Sequence, residues 1–358
     1  MRTNLDEICI PLSATIRDAI AQMDVSRGGI VLVVDEDNRL VGTISDGDVR
    51  RAHLANIDFD RPVTVLFAQK SDSAYASPIT ASADADQATL LGILRQHRIR
   101  HLPILDQEQR LAGLVTIDEF VPKEPLALQA LIMAGGLGNR MRPLTDTLPK
   151  PMLPMGDRPL MEIIIQQLRS AGIERINVAV HHESEKITGH FGDGKDFDVS
   201  ITYVTEDRPL GTAGALGLME LPTETMLVMN GDILTQVDFQ AMVAFHREYH
   251  ADLTVAVQRH EVQVPYGVLE CEGTTVKSIT EKPVINFFLN AGMYLLEPSV
   301  YGFIPPGEHY DMTDLIQRLL DEGRSVLAFP LLELWIDIGD PDEYQRAQVA
   351  AKSWRFNK

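Results

Sequence analysis

The sequence LIMAGGLGNRMRPLTDTLPKPMLPMGDRPL, residues 131–160, gives the clearest indication of how this chain folds. An apolar run at residues 126–133 is followed by Gly135, Gly136 and Gly138. A run of that length bounded by glycines predicts a buried strand that opens into a loop. Glycines allow sharp turns and leave consecutive backbone N–H groups accessible to an anion. We therefore expect an anion-binding loop at the end of this strand.

Basic side chains follow the glycines at once. Arg140 and Arg142 lie just beyond the loop, and Lys150 stands between two prolines. Guanidinium groups are fixed donors for phosphate oxygens, so the combination suits a triphosphate. Two better-known glycine loops do not fit. A P-loop needs Lys-Ser/Thr after its last glycine, and a Rossmann fingerprint needs a third glycine where Arg140 stands.

The stretch closely resembles the signature of the sugar-1-phosphate nucleotidyltransferases. That signature reads Gly-Gly-x-Gly-x-Arg, then Pro-Leu-Thr, then Pro-Lys-Pro, and here it occupies residues 135–140, 143–145 and 149–151. Asn139 replaces the threonine that usually precedes the arginine. The resemblance implies transfer of a nucleotidyl group from a nucleoside triphosphate to a sugar 1-phosphate, with release of pyrophosphate.

Length and composition limit the classes of protein to consider. A chain of 358 residues predicts two or three domains. The net charge of −19 argues against nucleic acid or an anionic membrane as the main partner. Neither a signal peptide nor an apolar stretch of the ~18 residues that a spanning helix needs is evident. With only Cys9 and Cys271, we expect no disulfide framework and a cytoplasmic location.

The first third of the chain contains an internal repeat. Residues 30–45 and 101–116 each hold two β-rich runs separated by a polar turn, and each follows a segment of helical period. Ser45 and Thr116 occupy equivalent positions and lie 71 residues apart, as do the other matched pairs. A constant lag of this kind indicates one supersecondary unit used twice.

The repeated unit resembles the CBS module, two of which pack as a pair. In that family a Ser/Thr ending the second strand and an Asp three residues later hold the ribose of an adenosine-type nucleotide. Ser45 and Asp48 match in the first copy, whereas Thr116 in the second is followed by Glu119. The same residues can equally cap the helix that follows, so both possibilities stay open. We expect the pair to regulate activity by binding an adenine or guanine nucleotide, or to form homo-oligomers.

Prolines at both ends of residues 122–125 block continuation of a helix or a strand ladder and place a domain boundary there. We expect a tandem CBS module at 1–122, with copies at about 1–60 and 72–121. The second domain should occupy 126–358.

Beyond this boundary, segments of helical period alternate with β-rich runs. We predict strands at 126–133, 175–180, 201–204, 226–229 and 253–258, and helices at 160–171, 213–219 and 239–249. Such alternation predicts an α/β fold with a mixed, mostly parallel sheet, helices on both faces and a site at the strand carboxyl ends. Segments at 267–270, 276–280 and 290–296 are expected as an antiparallel addition. By resemblance, this is a Rossmann-like nucleotide-diphospho-sugar transferase domain.

Further motifs lie at the ends of these segments, and the resemblance gives each a role. Gly211 and Thr212, in a small-residue turn, are expected to contact the base. Asp232, after an apolar strand, and Asp337, between two isoleucines, are expected to hold Mg²⁺, which takes one or two carboxylates plus phosphate oxygens. Acidic residues are also common in turns and at helix caps, which is the structural alternative.

The sugar is expected to be recognised by a Glu-Lys-Pro motif and an Asn-x-Gly turn. The resemblance implies that Glu281 and Asn290, with Gly292, bind the sugar and that Lys282 holds its phosphate. A Glu-Lys pair is otherwise a solvated surface pair of little energetic consequence.

The implied reaction is a single in-line displacement at the α-phosphorus, which asks for positioning and charge neutralisation. Arg140 is expected to stabilise the leaving pyrophosphate and Lys150 to neutralise the α-phosphate region. By the same resemblance, the backbone that holds the triphosphate is that of Ala134, Gly135, Gly136 and Gly138.

The nucleotide is predicted from a short segment only. Residues 209–216, PLGTAGAL, most resemble guanylyltransferases acting on mannose-, heptose- or glucosamine-type 1-phosphates, which favours GTP. Uridylyl- and thymidylyltransferases remain alternatives, as does a nucleotide-sensing protein without catalysis. A zinc site at His181 and His182, with Glu183 and Glu185, is disfavoured because the spacing lacks a third matching ligand nearby.

Overall fold

The computed structural model describes residues 4–26, 28–70, 76–97, 99–120, 126, 128–136, 138–181 and 183–353. The chain separates into two compact units, Met1–Glu124 and Pro125–Lys358. The predicted hinge at residues 122–125 lies outside the described residues. None of the helices in the described part of the chain has the length and apolarity needed to cross a bilayer.

The first unit consists of two similar halves. The first half contains β1 (Cys9–Pro11), α1 (Ile16–Ser26), β2 (Ile30–Val34), β3 (Leu40–Ser45), α2 (Asp46–Leu54) and α3 (Thr64–Gln69). The second contains β4 (Ala81–Ser82), α4 (Gln87–Gln96), β5 (His101–Leu105) and β6 (Leu111–Thr116). Each half forms a three-stranded sheet in which the first strand is parallel to the second and the second is antiparallel to the third. The internal repeat is therefore confirmed.

Apolar side chains from both halves join in one core. Ile8 and Leu32 of the first half pack with Leu114 of the second, and all three are almost fully buried. The N–H of Leu111 donates to the carbonyl of Asn38 at 3.0 Å, so backbone pairing also connects the halves. Burial of shared apolar surface explains why the repeat occurs as a pair.

The second unit alternates strands and helices. Its strands are β7 (Gln129–Met133), β8 (Pro154–Met155), β9 (Arg158–Pro159), β10 (Arg175–Val180), β11 (Ser200–Thr205), β12 (Met226–Asn230), β13 (Ile233–Thr235), β14 (Leu253–Gln263), β15 (Val268–Glu272), β16 (Thr275–Thr280), β17 (Val284–Leu296), β18 (Val326–Pro330) and β19 (Trp335–Asp337). Its α-helices are α5 (Leu160–Ser170), α6 (Ser184–Phe191), α7 (Gly211–Gly214), α8 (Phe239–Glu248), α9 (Met312–Asp321) and α10 (Pro341–Ser353).

Seven of these strands form one sheet in the order β11-β10-β7-β12-β17-β14-β18. The first four are parallel, β17 is antiparallel to both its neighbours, and β18 is parallel to β14. Alternate residues of β7 face opposite sides, so Ala130 and Ile132 enter one core and Leu131 the other. Helix α5 covers the first face and α9 the second. The predicted mixed, mostly parallel sheet with helices on both faces is confirmed.

The antiparallel addition is longer than predicted. Strands β14 and β17 extend past the sheet to Gln263 and back from Val284, and the hairpin β15–β16 follows them. Side chains of both hairpin strands are mostly exposed, so the regular burial pattern that identifies a strand in sequence is absent there.

Candidate active site

Four parallel strands bring their carboxyl ends to one edge of the sheet. Asp232 follows β12, the glycine loop follows β7, His181 follows β10 and Glu206 follows β11. Ligands of open α/β sheets bind at this edge because the loops that leave parallel strands converge there. The sheet order therefore places these residues in one row, from Asp232 at one end to Glu206 at the other.

Lys150 and Asp232 form an ion pair at the start of this row. The Lys150 ammonium lies 2.5 Å from Oδ2 of Asp232, and the lysine is only 8% exposed. Lys150 is presented by a tight 3₁₀ turn between Pro149 and Pro151. An ion pair with one buried partner is held in a fixed geometry by the surrounding packing, so both groups have defined positions.

Asp337 is brought beside Asp232 by a two-stranded ribbon. Ile233 of β13 pairs with Asp337 of β19, and the Ile338 N–H donates to the carbonyl of Asp232 at 3.0 Å. Partial removal from water and the neighbouring Asp232 carboxylate raise the pKa of Asp337, whereas Lys150 and Arg140 lower it. The structure thus brings two predicted metal ligands, the lysine and the arginine into one electrostatic neighbourhood.

The carboxylates have the chemistry that Mg²⁺ prefers. Oδ1 of Asp232 is buried and finds no hydrogen-bond partner among the described residues, which is energetically unfavourable for a carboxylate oxygen. Among the described residues no cluster of three or more His, Cys, Asp and Glu side chains could hold a metal. Two carboxylates without a third protein ligand suit Mg²⁺, which completes its shell with water and substrate phosphates.

The glycine loop is shaped by Thr145. Gly138 has φ +62°, and a Cβ on it would lie 3.0 Å from Cγ2 of Thr145, whose hydroxyl donates to the Gly138 carbonyl at 2.8 Å. Both the backbone conformation and the space therefore require glycine at this position. Gly136 is exposed, with nothing near the place where its side chain would be. Arg140 is also exposed and approaches Gly339, just after Asp337.

The small-residue turn is held by the start of α9. Gly211 has φ +81°, and a Cβ there would lie 2.6 Å from Oδ1 of Asp311. The same oxygen accepts the N–H of Thr212 at 2.9 Å, and the Thr212 hydroxyl accepts the N–H of Met312 at 2.8 Å. The side chain and the N–H of Thr212 are therefore both engaged within the protein, and the N–H groups of Ala213 and Gly214 donate to the Tyr310 carbonyl. The contact of Gly211 and Thr212 with a base stays a prediction.

Glu206 lies at the same edge of the sheet, and the sequence analysis did not predict it. It is buried, and it lies against Gly135 of the glycine loop. His181 Nδ1 lies 2.9 Å from the carbonyl oxygen of Glu206, and because a carbonyl only accepts, Nδ1 carries the hydrogen. His182 lies outside the described residues. The only signal in the sequence is an acid directly after a strand, which turns commonly have.

Only part of the predicted sugar site lies near the residues at the carboxyl edge of the sheet. Gly292 (φ +69°) packs against the Asn230 side chain, and Asn290 accepts the Gly292 N–H at 3.0 Å. Glu281 and Lys282 are exposed at the base of the β15–β16 hairpin. The described structure gives neither of them a hydrogen bond or an ion pair with Asp232 or Asp337. Their sugar-binding roles stay predictions.

In the first unit, both predicted ligand motifs form capping boxes. Ser45 with Asp48 caps α2, and Thr116 with Glu119 caps a 3₁₀ turn. Asp48 is 3% exposed, and its carboxylate pairs with Lys70 and, at 2.5 Å, with Arg51. Burial raises the pKa of Asp48, but these cations and the Ser45 N–H outweigh it and hold that pKa below its usual value. The capping alternative is thus realised in both copies, and ribose binding stays a prediction.

Two family models match the chain. The model described as nucleotidyl transferase matches residues 129–353, and the one described as CBS domain matches residues 1–55 and 75–122. The chain is 34% identical over 241 residues to a UTP–glucose-1-phosphate uridylyltransferase of Synechocystis, with 62% of each protein covered. It is 32% identical over 230 residues to the mannose-1-phosphate guanylyltransferase of Mycobacterium tuberculosis, covering 62% of this chain and 64% of that protein. The chain thus spans less than two thirds of the length of these relatives.

Solved structures show the same fold. A crystal structure from Bacillus anthracis, assigned as a glucose-1-phosphate thymidylyltransferase in complex with a sucrose, matches with a TM-score of 0.54 and 27% identity. It covers 65% of this chain and 98% of that one. HddC from Yersinia pseudotuberculosis matches with a TM-score of 0.50 and 24% identity, over 62% of this chain and 98% of that one, and supports the fold alone.

Proposed function

Because the chain belongs to the nucleotidyl transferase family and carries CBS domains, we propose that it transfers a nucleotidyl group from a nucleoside triphosphate to a sugar 1-phosphate. The observation that carries this proposal is the convergence of Lys150, Asp232, Asp337 and Arg140 at the carboxyl edge of the sheet. A protein that only sensed nucleotides would not need all four of these groups at one place.

The residues of the chain act mainly by position and charge. The glycine loop and Arg140 bind the β- and γ-phosphates and hold the pyrophosphate as it leaves. Lys150 neutralises the α-phosphate and is itself positioned by Asp232. Asp232 and Asp337 would hold Mg²⁺, which supplies charge neutralisation across the two reactants. No general base is required, because a sugar 1-phosphate oxygen is already an anionic nucleophile.

GTP is the proposed nucleotide, on the strength of residues 209–216 and the guanylyltransferase relative. A uridylyltransferase relative matches over a similar length, so UTP is the main alternative. The sugar is proposed to be a hexose or heptose 1-phosphate held near Asn290 and Gly292.

Pyrophosphate release from the full chain, measured with Mg²⁺ for four nucleoside triphosphates against a panel of sugar 1-phosphates, tests the proposal. We expect release that depends on both substrates and stops with EDTA. Absence of release with every pair would overturn it.

We further propose that the CBS pair regulates this activity by binding an adenine or guanine nucleotide. A ligand can do so only if it binds two states of the protein with different affinities. Titration of the full chain with AMP, ATP and GTP at a fixed substrate level tests this. If none of these nucleotides changes the rate or binds the first unit, the module has a structural role.

A further inference from the structure

The antiparallel ribbon that extends beyond the main sheet carries a dense group of exposed apolar side chains. In the described part of the chain twenty large apolar residues are exposed. Nine of them lie within residues 262–289, namely Val262, Tyr266, Leu269, Val276, Ile279, Val284, Ile285, Phe287 and Leu289. Single apolar residues are normal at a protein surface, whereas a dense group of them is typical of an interaction site.

Strand β17 contributes much of this group. Its thirteen residues, Val284–Leu296, include no charged side chain. The residues from 291 onwards are buried in the main sheet, but Val284, Ile285, Phe287 and Leu289 are exposed. Natural proteins usually place charges or prolines on exposed strands, because an apolar strand with an open edge pairs with other chains. The sequence of β17 contains neither, so an uncovered β17 would be an aggregation site.

The register of β14 and β17 separates apolar from charged side chains. Directly opposite residues of an antiparallel pair point to the same face. The ion pair of Arg259 and Glu261, at 3.0 Å, lies on one face of the ribbon. The other face has no Asp, Glu, Lys or Arg, and we call it the apolar ribbon face. It consists of the opposite pairs Val262/Ile285, His260/Phe287 and Gln258/Leu289.

The β15–β16 hairpin continues the ribbon and shows the same separation. Leu269 is opposite Ile279, and Val276 is opposite Cys271, which lies two residues further along β15. Strand alternation puts these four side chains on one face of the hairpin and Glu270 on the other. We call the face with the four side chains the apolar hairpin face.

The size of this surface corresponds to a stable dimer interface. The seven large apolar side chains of the two faces are each about half exposed and leave roughly 700 Å² open to water. The largest apolar patch of an ordinary monomer is about 300–600 Å². A stable protein–protein interface covers about 800 Å² on each partner. The exposed surface therefore exceeds what a monomer usually presents and is close to what a dimer buries.

We propose that the apolar ribbon face and the apolar hairpin face form a homodimer interface, on which a second copy of this chain packs. The net charge of −19 makes two copies repel each other over most of their surface, so they can meet only where charge is absent. A two-fold interface must be complementary to itself, and an uncharged apolar face meets this condition. This association uses the second unit alone, so it differs from pairing through the CBS modules.

Sedimentation equilibrium of the full chain without substrates tests the proposal, and its result does not depend on the proposed function. The wild type should form a dimer that dissociates on dilution. Phe287→Glu places a charge on the apolar ribbon face and should raise the dimer dissociation constant at least about tenfold, as loss of an aromatic contact at an interface does. Val349→Glu introduces the same charge at an exposed apolar residue of α10, and should leave the constant unchanged.

Complementary charges test whether the face packs on its own copy. Phe287→Glu and Phe287→Lys should each dimerise more weakly than the wild type. An equal mixture of the two variants should associate at least about tenfold more tightly than either variant alone, because opposite charges then meet across the interface. A mixture that associates no more tightly would overturn the packing of this face on its own copy.

Two other results would overturn the proposal. One is a wild type that is monomeric at every concentration. The other is a dimer that Phe287→Glu leaves unchanged, since that dimer forms through a different surface. If the Phe287 variants fail to fold by circular dichroism, hydrogen exchange of the wild type decides. The backbone amides of residues 284–289 should exchange more slowly as protein concentration rises, and exchange that is independent of concentration would contradict the interface.

Discussion

The main-chain carbonyl of Asp232 accepts the N–H of Ile338 at 3.0 Å, and this contact seats Asp337 next to Asp232. The two carboxylates come from strands about a hundred residues apart in sequence, and the β13–β19 ribbon holds them in register. Two like charges this close disfavour each other's ionised form, which is why the neighbouring Asp232 contributes to the raised pKa of Asp337. The protein tolerates this repulsion at the place where a divalent cation would relieve it.

Replacing Asp337 by asparagine should separate stability from activity. When folding raises the pKa of a carboxyl group, the ionised group destabilises the folded protein. This destabilisation develops as pH rises above the unfolded pKa, and it is relieved as pH falls back through the raised folded pKa. Asp337→Asn should therefore unfold at a higher temperature than the wild type in EDTA at pH 7. Its pyrophosphate release should fall at least ~100-fold.

The matched control for that experiment is Asp196→Asn, an exposed acid, which should change neither quantity. Differential scanning calorimetry and the release assay supply the two readouts. A variant less stable than the wild type at pH 7 would show that repulsion between Asp232 and Asp337 is not the dominant effect.

Replacing Lys150 by methionine should tighten metal binding while slowing turnover. The Lys150 ammonium compensates the charge of Asp232 at 2.5 Å, so a cation that binds Asp232 competes with it. Mn²⁺ titration followed by electron paramagnetic resonance, without nucleotide, should give a lower dissociation constant for Lys150→Met. Turnover should fall at least ~100-fold, because the α-phosphate loses its counter-charge. Lys195→Met, at an exposed ion pair, is the control, and weaker Mn²⁺ binding by Lys150→Met would contradict the argument.

The sequence predicted those parts of the fold and of the candidate site in which a local sequence pattern is itself part of the functional motif. An apolar run predicted the buried strand β7, and the glycines after it predicted the loop. The positions of Lys150 and Asp232 followed from a familiar motif. Asp311 gave no such signal, because its contact with Thr212 joins residues 99 apart and exists only once α9 packs on the sheet. Glu206 was missed for the same reason, since its burial depends on the loop after β7. The extension of β17 back to Val284 was missed because exposed strands carry no burial pattern.

Replacing Asp311 by alanine should weaken nucleotide binding without slowing the chemical step. Asp311 accepts the Thr212 N–H and lies against Gly211, so it positions the turn that we predict to contact the base. Loss of one or two hydrogen bonds of about 1 kcal/mol each should raise KM for the nucleotide about tenfold. kcat and KM for the sugar phosphate should stay within about twofold.

Asp314→Ala is the control for Asp311, because Asp314 belongs to the same capping box but has no contact with the turn in the described structure. The Asp314→Ala variant loses helix-capping stabilisation but keeps the hydrogen bond from the Thr212 N–H to Asp311. Steady-state kinetics of both variants distinguish the two roles. Equal changes in KM for Asp311→Ala and Asp314→Ala would assign Asp311 to the helix alone.

Replacing Asp48 by asparagine should destabilise the first unit in a pH-dependent way. Asp48 is buried against Lys70 and Arg51, and breaking a buried pair from one side costs about 3 kcal/mol of unfolding free energy. Its folded pKa lies below the ordinary value, so this stability is present above the unfolded pKa of ~3.9 and disappears as pH falls through the folded one. The gap between wild type and variant should therefore narrow as pH falls below the unfolded value of ~3.9.

Hydrogen exchange of helix α2 in the full chain reports this loss locally. The emission of Trp335 and Trp354, both beyond the first unit, should show an unchanged transition for the second. Asp60→Asn breaks an exposed pair with Arg17 and should cost under about 0.5 kcal/mol. If Asp48→Asn is as mild as Asp60→Asn at pH 7, the buried ion pairs of Asp48 do not stabilise this unit.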